Sequence, residues 1–498
     1  MYRFKPQRTL MIIAMLFIII FIVLAGIKIN QRSAIGEAAR TDPPLLYDIH
    51  ARWLDNSHTL QATANITFRN EYGDPLSELV FHWFADMYRN LSTQPIRERQ
   101  LNQALLETKQ VGNRNAADNF QGGVTTYSVT TANGKSLTYI HQNQALTIKL
   151  PKKLLPGATT QLTIRYEVKV PFGAHALSYS DHTVGGFMWT PQLAVYKQAD
   201  RGWNRVPYNS SYRSDFYPMG QYHVILDVPE AWEIITTGQE IHRQHIDGRL
   251  LLETKSETSR QFAFYGGRYK QEGERTLANH LRVTVHRIHS LNDQQSVDYT
   301  SVLDTAASVA DWLSATVGPL PYAELKLVEA PYAGMSYSPD GIVVFSRQPD
   351  GFVQRDELIR AIAKQWTQNA IGSNASTDGF ISDGLSAFLA AYFEYNDNNK
   401  RWPQPALINT NMYPPAAPAV RLGADAELHY QAKGTAALME WINQYNIEAF
   451  NSWIQSFYKT YSGKMTSVSG LLNTVSTQIS PKAKADLEVL LTHSKPPL

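Results

Sequence analysis

The chain has 498 residues, 46 Lys and Arg against 44 Asp and Glu, a formal charge of +2 and no cysteine. Thiolate metal sites, cysteine nucleophiles and disulfide scaffolds are excluded, and 43% hydrophobic with 18% charged residues is a globular composition with length for two or three domains. Arg3, Lys5, Arg8, Lys28 and Arg32 face no acid within residues 1–33; setting these five charges aside from +2 leaves the remainder at −3, so a nucleic-acid partner has no electrostatic support.

Leu10 to Ile27 is an uninterrupted apolar run, close to what a ~30 Å hydrocarbon core requires at about 1.5 Å per residue. It predicts a transmembrane signal anchor over 10–29, a cytoplasmic N-terminus over 1–9 and a linker over 30–44. The alternative, a cleaved signal peptide, calls for a shorter apolar stretch of roughly 7–15 residues and a small-x-small site. Here the run leads into Lys28, Ile29 and Asn30. Three basic residues precede the run and two closely follow it, which weakly directs the N-terminus inward and the body outward. The expected location is therefore the cell membrane, single-pass, with an extracytoplasmic body. A cysteine-free exported body fits an exterior in which disulfides are not used.

The first half of the body alternates with period two. Leu60, Ala62, Ala64, Ile66 and Phe68 form one such series; Leu79, Phe81 and Trp83 form another, and Leu162, Ile164, Tyr166, Val168 and Val170 a third. Pro156-Gly157 and Asp247-Gly248 supply turns. A β-sandwich or curved-sheet domain over 45–288 is expected. The period then changes: helices are predicted from about Ser296 to Val317, Asp356 to Ile371, Gly384 to Tyr395, Leu428 to Asn443 and Ile447 to Tyr461, with a strand from Gly341 to Phe345. Residues 289–498 thus read as a mostly helical domain with a small sheet, and the whole as α+β multidomain. A substrate groove at the junction is expected.

Leu358 to Asn369 reads LIRAIAKQWTQN, and Phe380 to Phe388 reads FISDGLSAF. These resemble the zinc helix and following helix of the aminopeptidase N (membrane alanyl aminopeptidase) family of gluzincins, whose patterns are HExxHxWxGN and W-L-N-E-G-F-A. Setting Gln365, Trp366 and Asn369 on that pattern puts Arg360 and Lys364 where the two ligand histidines stand, and Ala361 where the general-base glutamate stands. Eighteen residues separate Lys364 from Asp383, the family's interval between second histidine and glutamate ligand. The Tyr332 to Tyr337 segment, with Ala333, Gly334, Met335, Ser336 and Tyr337, is similar to the family's G-A-M-E-N strand. Tyr430 to Gly434 is similar to its Y-x-K-G, and Gly220 to Gly238 to its last long N-domain strands. The resemblance covers most of residues 45–460 in order. It implies a saddle-like β domain, a thermolysin-like peptidase domain, and zinc as the family's cofactor.

The aligned residues lack that chemistry. A hydrolytic zinc site needs three ligands with lone pairs and a polarised water. A guanidinium offers no lone pair and an ammonium none until deprotonated, so Arg360 and Lys364 oppose a divalent ion. Ala361 has nothing to accept a proton from water. Only Asp383 keeps ligand chemistry, one methylene short. The family's glutamate that holds a substrate α-amine aligns with Ser336, which cannot neutralise an ammonium. Tyr430 keeps the position that, by the resemblance, steadies an oxyanion; its other reading is a hydrogen-bonded core tyrosine. The expectation is no metal and no intact catalytic residue. Two arrangements of the cations stand open: opposite Asp383, with Asp356 or Glu357 balancing Arg360 along the helix, or free on a solvated groove wall.

His242-x-x-His245 and His286-x-x-His289 lie in strand-like segments, where positions i and i+3 face opposite ways, and read as surface or loop histidines. Gly334-x-Ser336-x-Ser338 lacks the second glycine of a nucleophile elbow. Trp366, Phe388, Tyr392 and Phe393 read as helix-core aromatics. The function expected is a membrane-anchored, inactive peptidase-like protein. It would bind a peptide or protein segment beside Ala333–Tyr337 by strand pairing, with Tyr430 at the groove and a transporter or cell-envelope complex as partner by analogy alone. The alternatives are an active metallopeptidase with a remodelled site and a purely structural ectodomain.

Overall fold

The computed structural model describes residues 44–109, 120–289, 297–348, 351–398 and 412–493. The apolar run at 10–27 lies outside them; among the described residues no helix is long and apolar enough to cross a membrane.

The alternating runs form the expected strands. Strands β1 (Leu45–Leu54) and β2 (Thr59–Arg69) pair antiparallel, and every second side chain of each is buried. After helix α1 (Ile96–Glu107) come β3 (Gly123–Thr131), β4 (Thr159–Lys169), β5 (Gly220–Pro229), β6 (Gln239–Ile246) and β7 (Arg249–Ser259). They complete a seven-stranded sheet in the order β6-β7-β5-β1-β2-β4-β3. The β6–β7 turn has both Asp247 and Gly248 at positive φ, as a tight two-residue hairpin demands. Two four-stranded sheets share the same apolar core.

A further sheet follows: β8 (Tyr269–Thr276), β9 (Arg282–Ile288), and, beyond helix α2 (Tyr299–Thr316), β10 (Glu324–Glu329) and β11 (Ile342–Phe345). The last three are parallel, with α2 as the crossover between β9 and β10. Strand β11 is apolar at every position because both its faces are covered. Ile342 and Val344 belong to the core of the β-rich half, Val343 and Phe345 to that of the helical half.

The helical half holds α3 (Arg355–Lys364), α4 (Leu385–Asn398), α5 (Thr435–Tyr445), α6 (Ile447–Tyr461), α7 (Val468–Gln478) and α8 (Pro481–Thr492). Trp366, Phe388, Tyr392 and Phe393 are in its core as expected. The sequence reading missed α1, α7 and α8. Signals for the last two were present, since Ser467 and Ser480 cap their first turns and Pro481 sits at the first helical position. His286 is a correction: it is buried, bonded to Thr284 Oγ1 at 3.0 Å and pushed down to about 4 by burial, because β9 is covered where a surface strand was read.

Beyond Lys364, α3 continues as a π-helical stretch, Gln365–Ala370, and the Phe380–Gly384 and Tyr430–Gly434 segments are π-helical too. Gln365 is fully buried and ties this helix to β11. Its amide donates to Pro339 O (3.1 Å) and Ile342 O (2.8 Å), and its oxygen accepts from Gly341 N (3.0 Å), Asn369 Nδ2 (3.1 Å) and Tyr322 Oη. Gln365→Leu leaves these groups unpaired in the core and is expected to cost about 3 kcal/mol, read as a lowered urea midpoint with an unchanged m-value.

Candidate functional site

Between α1, the segment Gly334–Ser338, α3 and the helix Ala426–His429 lies a cavity of about 650 Å³, within the usual range of roughly 300–1,000 Å³ for ligand sites. Gly334, Ser336, Tyr337, Arg360, Ala361, Lys364, Asp383 and Tyr430 all line it; Ala333 and Met335 do not. Met335 turns into the core of the β-rich half, and Ala333 is exposed on a turn.

At its floor, Lys364 Nζ stands 3.0 Å from Asp383 Oδ1 and 2.8 Å from Glu427 Oε1. Burial works to lower Lys364, but the two carboxylates outweigh it and hold the ammonium above its ordinary value. The same attraction, against the burial that raises it, draws Glu427 down from 4.5 to about 2. Asp383 is 7% exposed and also accepts from Ser382 Oγ at 3.2 Å. The cation in contact with Asp383 is thus Lys364, with Arg213 acting on it at longer range.

Arg360, one turn earlier on the same wall, is half-buried and has no ion-pair or hydrogen-bond partner among the described residues. The expected balance by Asp356 or Glu357 is not formed. Asp356 is exposed, and Glu357 is bound by Arg97 of α1 at 3.3 Å, which donates as well to Gly334 O at 3.1 Å.

The other acids of the cavity are engaged. Glu98 accepts from Tyr337 Oη (3.0 Å), His175 Nδ1 (2.9 Å) and Ala176 N (3.3 Å). Asp215 accepts from Arg213 Nε at 2.7 Å, and Arg213 also donates to Gln368.

Tyr430 is buried and its hydroxyl donates to Ala417 O at 2.7 Å. A phenol has one proton to donate, and here it goes to the backbone, as the reading of a hydrogen-bonded core tyrosine has it; burial raises its pKa. Tight glycine contacts fix the ring. A Cβ at Gly379 would stand 2.5 Å from Tyr430 Cε2.

The strand expected at Ala333–Tyr337 is corrected likewise. Ala333 and Gly334 form a turn, with Gly334 at φ +81°, and only Tyr337 bridges to Val344 of β11. No extended edge is left there for a ligand strand of any length.

The order and spacing of these parts are those of a known architecture. The chain superposes on the M1 zinc metallopeptidase of Deinococcus radiodurans with a TM-score of 0.64 at 16% identity, covering 91% of this chain and 96% of that one. The fold is that of the M1 zinc metallopeptidases. Similar superpositions are found with a mutant of that enzyme bound to a Tyr-Ser-Ala substrate (TM-score 0.63, 17% identity) and with a two-domain M1 zinc metallopeptidase mutant bound to L-arginine (0.64, 16%), each at the same coverage of both chains. No family model and no curated protein matches the sequence.

The residues that the resemblance sets at the zinc position do not fit zinc. A guanidinium, a methyl group and an ammonium stand where lone pairs are needed, and the one carboxylate is bonded to that ammonium. Among the described residues no group of three or more His, Asp or Glu could hold a metal ion. Arg97, Glu98, Arg213 and Glu427 escaped the sequence reading. Glu427 alone had a signal, three residues before Tyr430 on one helix face.

Lys364→Met removes the cation between two carboxylates and is expected to cost about 2–3 kcal/mol at pH 7, below the range for a fully buried pair because Glu427 is partly hydrated. Glu427 has a folded-state pKa below its unfolded one, so its contribution is complete above pH 4.5 and lost as pH falls through about 2. Denaturant melts of the variant are therefore expected to be less steeply pH-dependent than wild type over that window.

Proposed function

We propose that the protein is a peptidase-like binding protein without hydrolytic activity, which takes a peptide or protein segment into the cavity between α1 and α3. The carrying observation is Lys364, whose ammonium is seated between Asp383 and Glu427 at the place the resemblance gives to a metal ligand. A site whose carboxylate is neutralised by the protein's own cation has neither a nucleophile nor a base to activate water. The open cavity supports a binding role over a purely structural ectodomain. The Deinococcus mutant bound to Tyr-Ser-Ala supports a peptide as the ligand class for this fold. The Leu10–Ile27 run supports a single-pass anchor holding the body outside the cytoplasm, beside a transporter or envelope assembly.

The full-length protein, recovered from the membrane fraction only with detergent and supplied with zinc, is expected to hydrolyse aminoacyl and peptide substrates no faster than a protein-free control. Turnover above that control, abolished by chelator and by Asp383→Ala, would establish a remodelled metallopeptidase instead.

A further inference from the structure

Four cations and five carboxylates line the cavity, and because Lys364 is shared by two of the acids, one cation is left without a direct contact. Arg97 is bound to Glu357, Arg213 to Asp215, and Lys364 to Asp383 and Glu427, while Glu98 is satisfied by Tyr337, His175 and a backbone amide. Arg360 alone has no counter-charge among the described residues, and it is half-buried on the cavity wall. Withdrawing a guanidinium partly from water without a partner is unfavourable. A ligand that supplies the missing anion recovers that cost on binding. Each acid on the wall, by contrast, already accepts at least one hydrogen bond from the protein.

Resting on the peptide-binding reading above, we infer that the cavity selects a peptide carboxylate, held by Arg360, rather than a free amine. The guanidinium fork matches a planar carboxylate bidentately. With five carboxylates against four cations on the wall, a doubly charged phosphate meets more repulsion than a single carboxylate does. Ser336 lines the same cavity and supplies a hydroxyl to hydrogen-bond the ligand. Leu428, which also lines it, is 55% exposed and offers apolar surface to the ligand's body. The carboxylate has two sources, the free C-terminus of a peptide or an acidic side group within it, and the probes separate them.

The test is fluorescence anisotropy of the full-length protein in detergent with four N-terminally labelled neutral-core pentapeptides: one with a free C-terminus, the same peptide amidated, an amidated one with central Glu, and an amidated one with central Lys. Binding of the first or third at least tenfold tighter than of the amidated neutral peptide is expected. The preference should fall tenfold or more in Arg360→Gln and return in part in Arg360→Lys, with both variants melting within a few degrees of wild type. Tighter binding of the free-acid peptide assigns a C-terminus, and tighter binding of the Glu peptide an acidic side group. Equal or better binding of the Lys or neutral amidated peptide, lost in Ser336→Trp but not in Arg360→Gln, overturns the carboxylate preference and keeps the groove. An unchanged preference in a folded Arg360→Gln overturns it too. Failure of all four peptides to bind at millimolar concentration overturns both readings.

Discussion

A single ammonium, that of Lys364, holds three segments together: the end of α3 that carries it, the π-helical turn that carries Asp383, and the short helix that carries Glu427. At 2.8 and 3.0 Å these are charge-assisted hydrogen bonds, and removing the cation would leave two carboxylates facing each other across the cavity floor. In the aminopeptidase N pattern the corresponding segments converge on a metal that accepts lone pairs from side chains. Here the positive charge is covalently part of the wall and donates protons to carboxylates. The attraction that draws the three segments together is supplied by the protein's own side chains.

What surrounds the ion pair has the character of a scaffold. Gln365 bonds α3 to β11 and Trp366 donates to Gly318 O at 2.7 Å, while Asn369 donates to Ser338 O at 2.8 Å. Thr367 Oγ1 reaches Ser382 O at 2.9 Å, joining the first π-helical stretch to the one bearing Asp383. The residues through which the sequence resembles a zinc helix are therefore those that fix its position against the sheet. Arg360, Ala361 and Lys364, which the resemblance aligns with the ligands and base, are where the sequence departs from the pattern. Tyr430 belongs with the first group, since its hydroxyl anchors to Ala417 and its ring packs over Gly379.

The strands, the main helices and the core aromatics were legible because each depends on a local period, two or about 3.6, that burial then enforces. The position of Lys364 opposite Asp383 was legible through the resemblance, whose interval between ligands the chain keeps. The partners contributed by remote elements were not: Arg97 takes Glu357 from across the cavity, and Arg213 comes from an irregular loop. The contacts of Arg97 with Glu357 and of Arg213 with Gln368 leave no mark on local sequence, and with Glu357 taken Arg360 has no counter-ion among the described residues. The turn at Ala333–Gly334 was misread as strand because the resemblance outweighed the positive-φ preference of Gly334, whose carbonyl then receives Arg97.

Whether the Lys364 ammonium takes the place that the resemblance gives to a zinc ligand is decided by metal stoichiometry. Zinc per molecule is measured by elemental analysis on the full-length protein purified with zinc present and then dialysed. The account predicts far less than one equivalent in the wild type, and a gain toward one in a variant combining Arg360→His, Ala361→Glu, Lys364→His and Asp383→Glu. One tightly held zinc per wild-type molecule, lost on Asp383→Ala, would contradict it.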